Sequence, residues 1–269
     1  MGSTLNGLAQ QMVVAATIQK RILHLHSPLH RLSLITLTLA RLRSRELSNS
    51  VASANSDIVT LTVKASRLPV GYHEVEYLES TAGGGQYIQT GITSFNSTDE
   101  IDIAFMYFAI PAAGNQNVIS IAGTGDARHY MRIPAINNNY NSYIIGDSAA
   151  LVSTPQANTR FDAVINNSSH KVLENNTDLG TLTSYTGDFW YSYQITLFGK
   201  SNTAGTLSGT GSRCRIYSFV HKNNSTGTVL RNFVPCYRIS DNVAGFYDLA
   251  NSAFIANAGS TAFVVGPEV

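Results

Sequence analysis

The chain has 269 residues, 43% of them hydrophobic and only 13% charged, with 21 glycines, seven prolines and a net charge of +1. Charge this sparse, against about 25% in ordinary soluble domains, leaves Asn, Ser and Thr to cover the surface and disfavours salt-bridged helical bundles. Two cysteines supply neither a Cys-rich metal framework nor a disulfide scaffold.

The net charge hides a division. Residues 1–67 carry eight Lys and Arg against Glu46 and Asp57, a balance of +6, whereas residues 68–269 carry ten against fifteen acidic residues, a balance of −5. Such a split points to two segments with different partners, the first being either an interaction arm or a solvated helix face. Within it, Leu5, Leu8, Met12, Ala15, Ile18 and Ile22 recur at threes and fours and predict an amphipathic helix ending before Pro28. Leu32 to Leu42 fits a strand buried on both faces or a short buried helix, and Ser48 to Ser56 (SNSVASANS) is the best linker. Ile58 to Val63 (IVTLTV), rich in β-branched residues, predicts a strand.

No membrane partner is expected. The apolar runs Met12 to Ala16 and Leu34 to Ala40 fall far short of the ~20 residues a spanning helix needs. Lys20 and Arg21 follow the first run instead of preceding it, unlike a secretion signal. His24, His26 and His30 have Pro28 among them and no Cys nearby, so solvated or interfacial histidines are favoured over zinc. No Phe, Trp or Tyr occurs in residues 1–67, which removes the stacking platforms of a single-strand binder; no nucleic-acid partner is expected.

After Leu68-Pro69 short alternating runs recur between turn residues, among them EVEYLES, QYIQTGI, EIDIAFMYF, RFDAVIN, YQITLFG, RCRIYSFVH and TVLRNFVP. In EIDIAFMYF, Ile101, Ile103, Phe105 and Tyr107 share one parity against Asp102 and Ala104. In RCRIYSFVH, Cys214, Ile216, Ser218 and Val220 oppose Arg213, Arg215, Tyr217 and Phe219. This is the period of half-buried antiparallel strands. HKVLENNTDLGTL reads as a hairpin with Asn and Gly supplying the turn. Many short strands without a long helical pattern predict an all-β sandwich or barrel over residues 68–269. Cys214 and Cys236 fall in two of these strands. Two buried thiols are favoured, with a single bridge left open should the strands be neighbours.

The entry LPVGYHEVEYLESTAGGGQYIQTGI, Leu68 to Ile92, resembles the opening of a concanavalin A-like, laminin-G-type jelly-roll module found in phage fibre, tail and capsid-associated proteins; Gln89 stands where the family usually has an acidic residue. The far end, from SRCRIYSFVH through RNFVPCYR and GFYD to the final NAG turn, resembles the family's closing block. The resemblance covers Leu68 to Val269 and leaves out residues 1–67. It implies an antiparallel jelly-roll sandwich, which the basic segment, read from its own pattern as a short helix and one or two strands, precedes. It also implies a virion location, as a head fibre, capsid decoration or tail-associated protein; the charge and helix pattern of residues 1–67 point to attachment there to other virion proteins, as a homo-oligomer with a trimer favoured. The rivals are a bacterial surface or free lectin-like module and, third, a glycosidase of the same fold. In the two motif blocks, Arg215, Tyr217, Phe219, Phe233 and Tyr237 are expected on strands whose opposite parity faces the core, the blocks themselves pairing to close the sandwich.

No enzyme is expected. There is no HExxH, no G-x-S-x-G elbow and no P-loop. Glu74 with Glu76, and Glu100 with Asp102, are spaced to share a strand face, but glycosidase chemistry needs two carboxylates flanking a bond and such pairs are more often a wet face. No cofactor is expected. Calcium would have Asp126, Asp147 and the Asn137–Asn141 loop, without the dense carboxylates it prefers. Host-surface polysaccharide is the expected ligand class, with Asn139, Tyr140 and Tyr143 in NNNYNSY and Trp190 and Tyr191 in DFWYSY as candidates; the alternative for Trp190 is a half-buried core position.

Overall fold

A computed structural model of the chain describes residues 35–40, 58–63, 66–81, 85–108, 115–121, 129–134, 141–144, 151–154, 156–182, 189–190, 194–199 and 211–269. The chain divides between Arg67 and Leu68 into two units. In the first, β1 (Ile35–Ala40) pairs antiparallel with β2 (Ile58–Val63) in a two-stranded ribbon. The register sets Leu37 opposite Leu61 and Thr38 opposite Thr60. Within the ambiguous Leu32–Leu42 stretch, Ile35–Ala40 is therefore a strand, while the amphipathic helix expected before Pro28 lies outside the described residues.

The second unit is all-β. Its strands are β3 (Tyr72–Glu74), β4 (Leu78–Glu79), β5 (Ile88–Gln89), β6 (Ser94–Phe95), β7 (Asp99–Tyr107), β8 (Asn115–Ile121), β9 (His129–Pro134), β10 (Asn141–Ile144), β11 (Leu151–Ser153) and β12 (Arg160–Asn166). They continue with β13 (Lys171–Glu174), β14 (Thr177–Thr181), β15 (Phe189–Trp190), β16 (Thr196–Leu197), β17 (Cys214–Asn223), β18 (Thr228–Arg238), β19 (Val243–Asp248), β20 (Ala253–Ala256) and β21 (Val264–Val265). Among the described residues no helix is long and apolar enough to cross a membrane.

Two antiparallel sheets face one another. The large one runs β14-β13-β12-β7-β17-β18-β19-β20, and the small one runs β11-β10-β9-β8-β16-β5. One apolar core joins them: Ile101, Ile103, Phe105, Phe161, Ile216, Phe219, Phe233 and Phe246 from the large sheet meet Ile88, Val118, Tyr143 and Leu197 from the small one. Phe198 sits between layers, 4.7 Å from Phe263 and 6.3 Å from Phe246 by ring centroid. It is fully buried with φ at 66°, a conformation bulky residues rarely adopt, held by its N–H donating to the Val118 carbonyl. A polar link crosses the layers as well. Glu174 of β13 accepts from the hydroxyls of Tyr143 on β10, at 2.5 Å, and Ser153 on β11, at 2.7 Å.

The outer face of the large sheet carries a second cluster. Leu68 packs there with Val234, Cys236 and Tyr247, and Tyr72 stands 4.9 Å from Tyr247 and 5.4 Å from Phe254. Strands β17 and β18 pair through Phe219↔Phe233 to Asn223↔Thr228 and then part, and β4 and β3 fill the gap. β4 also pairs β21, so the first and last sequence blocks close the sheet together. Cys214 and Cys236 are both buried free thiols.

Two details differ from strict alternation. In β17 the pairing with β7 shifts between Ile216 and Ser218, a bulge that reverses parity from there on. Cys214 and Ile216 point inward as expected, but beyond the bulge Phe219 and His221 are buried, at 0% and 3% exposure, and Ser218 and Val220 are not. Likewise Phe233 belongs to the main core and Tyr237 packs against it, while Val234 and Cys236 face the outer cluster. The expectation that Phe219, Phe233 and Tyr237 oppose the core is corrected. In the β13–β14 hairpin, Asn175 and Asn176 supply both positive-φ turn positions, at 49° and 63°, whereas Gly180, at 122°, lies opposite a bulge at Val172/Leu173.

Candidate functional site

Of the residues expected to bind sugar, Tyr143 and Trp190 fall among the described residues. Tyr143 is 1% exposed and its hydroxyl is committed to Glu174, so its ring is a core surface and not a stacking platform. Burial and the nearby Glu174 carboxylate push its phenol well above the ordinary tyrosine value. Trp190 stands in β15 opposite Ser94. Asn139, Tyr140 and Tyr191 lie outside the described residues, as do Asp126, Asp147 and His24, His26 and His30. Among the described residues no group of three or more His, Cys, Asp or Glu is arranged to hold a metal ion.

The carboxylate pair Glu100 and Asp102 is bridged. Lys222, on the neighbouring strand β17, places its ammonium 2.5 Å from Glu100 and 3.2 Å from Asp102. Asn166 and Asn224 donate to the other Glu100 oxygen, at 2.5 and 2.9 Å. Burial alone would raise Glu100, but the Lys222 and Asn224 hydrogen bonds outweigh it and hold the group below its usual range. Burial is the main cause that pushes Asp102 up. The two acids therefore differ in environment, yet a cation occupies the space between them that a scissile bond would need.

A concave site does form at the chain's closing block. A cleft of about 380 Å³ is lined by Tyr237, Asn242, Ala244, Phe263, Val265, Gly266 and Glu268. Its floor is the rim of the main core, to which Ala244 and Phe263 belong. Register places it there: Tyr237 of β18 sits opposite His73 of β3 on one side and Ala244 of β19 on the other. The His73 and Tyr237 rings stack with centroids 5.1 Å apart and planes at 27°. The Tyr237 hydroxyl donates to Glu268, a bond that holds the phenol above its ordinary value and keeps it protonated. The other Glu268 oxygen lies 3.9 Å from His73 Nδ1.

Glu268 reaches this position because the C-terminal segment lies along the entry strand. Gly266 donates to the Tyr77 carbonyl at 2.9 Å, Glu76 to the Pro267 carbonyl at 2.8 Å, and Val75 bridges Glu268. A side chain at 266 would meet the Tyr77 ring at 2.9 Å, so glycine lets the wall close. Asn242 comes from the β18–β19 turn, with φ at 61° and its N–H donating to Arg238, while Arg238 and Asp241 pair beside it. The result is an aromatic ring fixed by two neighbours, an exposed amide, one exposed carboxylate and an apolar floor. Such a set can hold a hydroxyl-bearing ligand through stacking and hydrogen bonds.

Sequence reasoning assigned Tyr237 to fold closure and gave Asn242 and Glu268 no role. The usable signal was an Asn in a turn directly after an aromatic strand end; nothing local marks the approach of Glu268. No model of a known protein family matches the chain, and a search of curated proteins gives no match.

Proposed function

We propose that the chain is a structural accessory protein of a phage particle. Residues 1–67 attach it to other virion proteins, and the jelly-roll sandwich of residues 68–269 is displayed outward, where it meets host-surface glycan. The reading rests on the resemblance of both ends of the module to phage fibre and capsid-associated modules. One observation supports it: the residues carrying that resemblance act together as a closure, β3 and β4 pairing with β17, β18 and β21. A closed, self-paired sandwich with a separate basic segment suits display on a larger assembly. A homo-oligomer, with a trimer favoured, multiplies a weak sugar site through avidity. The role is binding and not turnover, and the Lys222 bridge across Glu100 and Asp102 favours that over the glycosidase alternative.

The exposed amide and carboxylate of the Tyr237 cleft favour a second reading, a lectin-like module acting away from any particle. Particle purification separates the two. Co-purification of the full chain with virions, lost on deleting residues 1–67, supports the accessory role. A chain found only free, or on the cell surface, supports the lectin-like one.

A further inference from the structure

We propose that the cleft between Tyr237, Asn242 and Glu268 is a saccharide site selective for neutral over acidic sugars. The inference gives a location and specificity to the glycan recognition suggested above, and rests on that reading for its biological setting. Its chemistry stands on the geometry alone.

Three features point to a saccharide. Tyr237 is fixed before any ligand arrives: His73 stacks on it and Glu268 receives its hydroxyl proton. A pre-oriented aromatic face binds the C–H face of a pyranose without an ordering cost. Asn242 brings an amide that both donates and accepts, from a turn whose backbone is tied to Arg238. Glu268 accepts hydrogen bonds from hydroxyl groups, the strong charge-assisted kind. A cleft of about 380 Å³ over the apolar rim of Ala244 and Phe263 takes one or two sugar rings.

Selectivity follows from charge. A uronate or sialate carboxylate entering the cleft meets Glu268, and Arg238, whose carbonyl accepts from the Asn242 N–H, is already paired with Asp241 at 2.5 Å. The excess of fifteen acidic over ten basic residues across 68–269 opposes acidic polysaccharide at longer range too.

The test uses the full chain and saturation-transfer NMR with the methyl glycosides of glucose, galactose, mannose and glucuronate at pH 7. At least one neutral glycoside is expected to bind, at least about tenfold more tightly than the glucuronate. Asn242→Gly, which suits the positive φ, is expected to weaken that binding about tenfold with an unchanged melting temperature. Glu268→Gln is expected to bring glucuronate to within about threefold of the neutral sugar. No binding of any neutral glycoside, binding unaffected by both substitutions, or a preference for glucuronate overturns the proposal. Particle incorporation of both variants is measured alongside. If the unsubstituted chain incorporates normally without binding any neutral glycoside, the cleft assignment fails and the virion reading stands; if it binds sugar but fails to incorporate, the virion reading alone fails.

Discussion

Asn257 and Gly85 join the two ends of the module: the Asn257 amide donates to the Gly85 carbonyl at 3.1 Å across 172 positions of sequence. The same side chain donates to Thr261 O at 2.6 Å and accepts from the backbone N–H groups of Tyr87 and Gly259, at 2.9 and 3.0 Å. Gln86 adds a bond to the Ala262 carbonyl, at 2.6 Å. The final NAG turn is thus a clasp on the entry segment. Asn257→Ala strands several backbone groups and is expected to cost about 2–3 kcal/mol, read from the denaturant midpoint. Gly259→Ala sets a methyl 2.3 Å from the Gly85 carbonyl oxygen and is expected to cost at least about as much. A loss under about 0.5 kcal/mol in both would refute the clasp.

The β17 bulge makes a sharper prediction. Phe219 packs 5.3 Å from Phe233 with no exposure, so Phe219→Ala is expected to cost about 3–5 kcal/mol. Val220, on the other face and partly exposed, is expected to lose no more than about 1 kcal/mol as Ala. Equal costs would mean unbroken alternation.

The thiols carry a pH signature. Burial pushes Cys214 and Cys236 up to about 12 from an ordinary value of 9.0. The folded chain keeps both protons where the unfolded chain releases them, so their contribution is complete below pH 9 and declines as pH rises from 9 towards 12. At pH 8 neither thiol is expected to react with a thiol reagent until denaturant is added. Rapid modification of the native chain would contradict the burial.

Lys222 is expected to matter through the acids it bridges. Hydrogen bonding to Glu100 is the main cause that raises its own basicity. Lys222→Met leaves two carboxylates facing one another and is expected to lose about 2 kcal/mol at pH 7. Asp102 is the readier of the two to take a proton, so acidification to about pH 4 is expected to narrow the difference from the unsubstituted chain. A deficit that widens with acidification would show that Lys222 does not shield this pair.

Much of the strand pattern was legible because burial writes itself at period two. Ile101, Ile103, Phe105 and Tyr107 are all buried, and the Asn-Asn turn fell where polar residues interrupt the pattern. Ala104 and Met106, on the other parity, are buried too, because a central strand beneath neighbouring side chains does not alternate cleanly. The bulge at Tyr217 left no mark, since one backbone shift reverses every later side chain without changing a letter. Tyr143 looked like a binding aromatic because NNNYNSY is polar, but its ring belongs to the main core and its hydroxyl meets Glu174 from the opposite sheet. The Tyr237 cleft was hidden for a related reason. It is assembled from β18, β19, the turn between them and the closing residues from Phe263 to Glu268, and no local pattern records that meeting.

The most direct test of the accessory-protein account is the location of the chain in purified particles, by mass spectrometry and electron imaging, with and without residues 1–67. The account predicts a fixed stoichiometry of the full chain on the particle and none for the truncated chain, which remains folded. A full chain absent from particles, or a truncated chain that still incorporates, would contradict it.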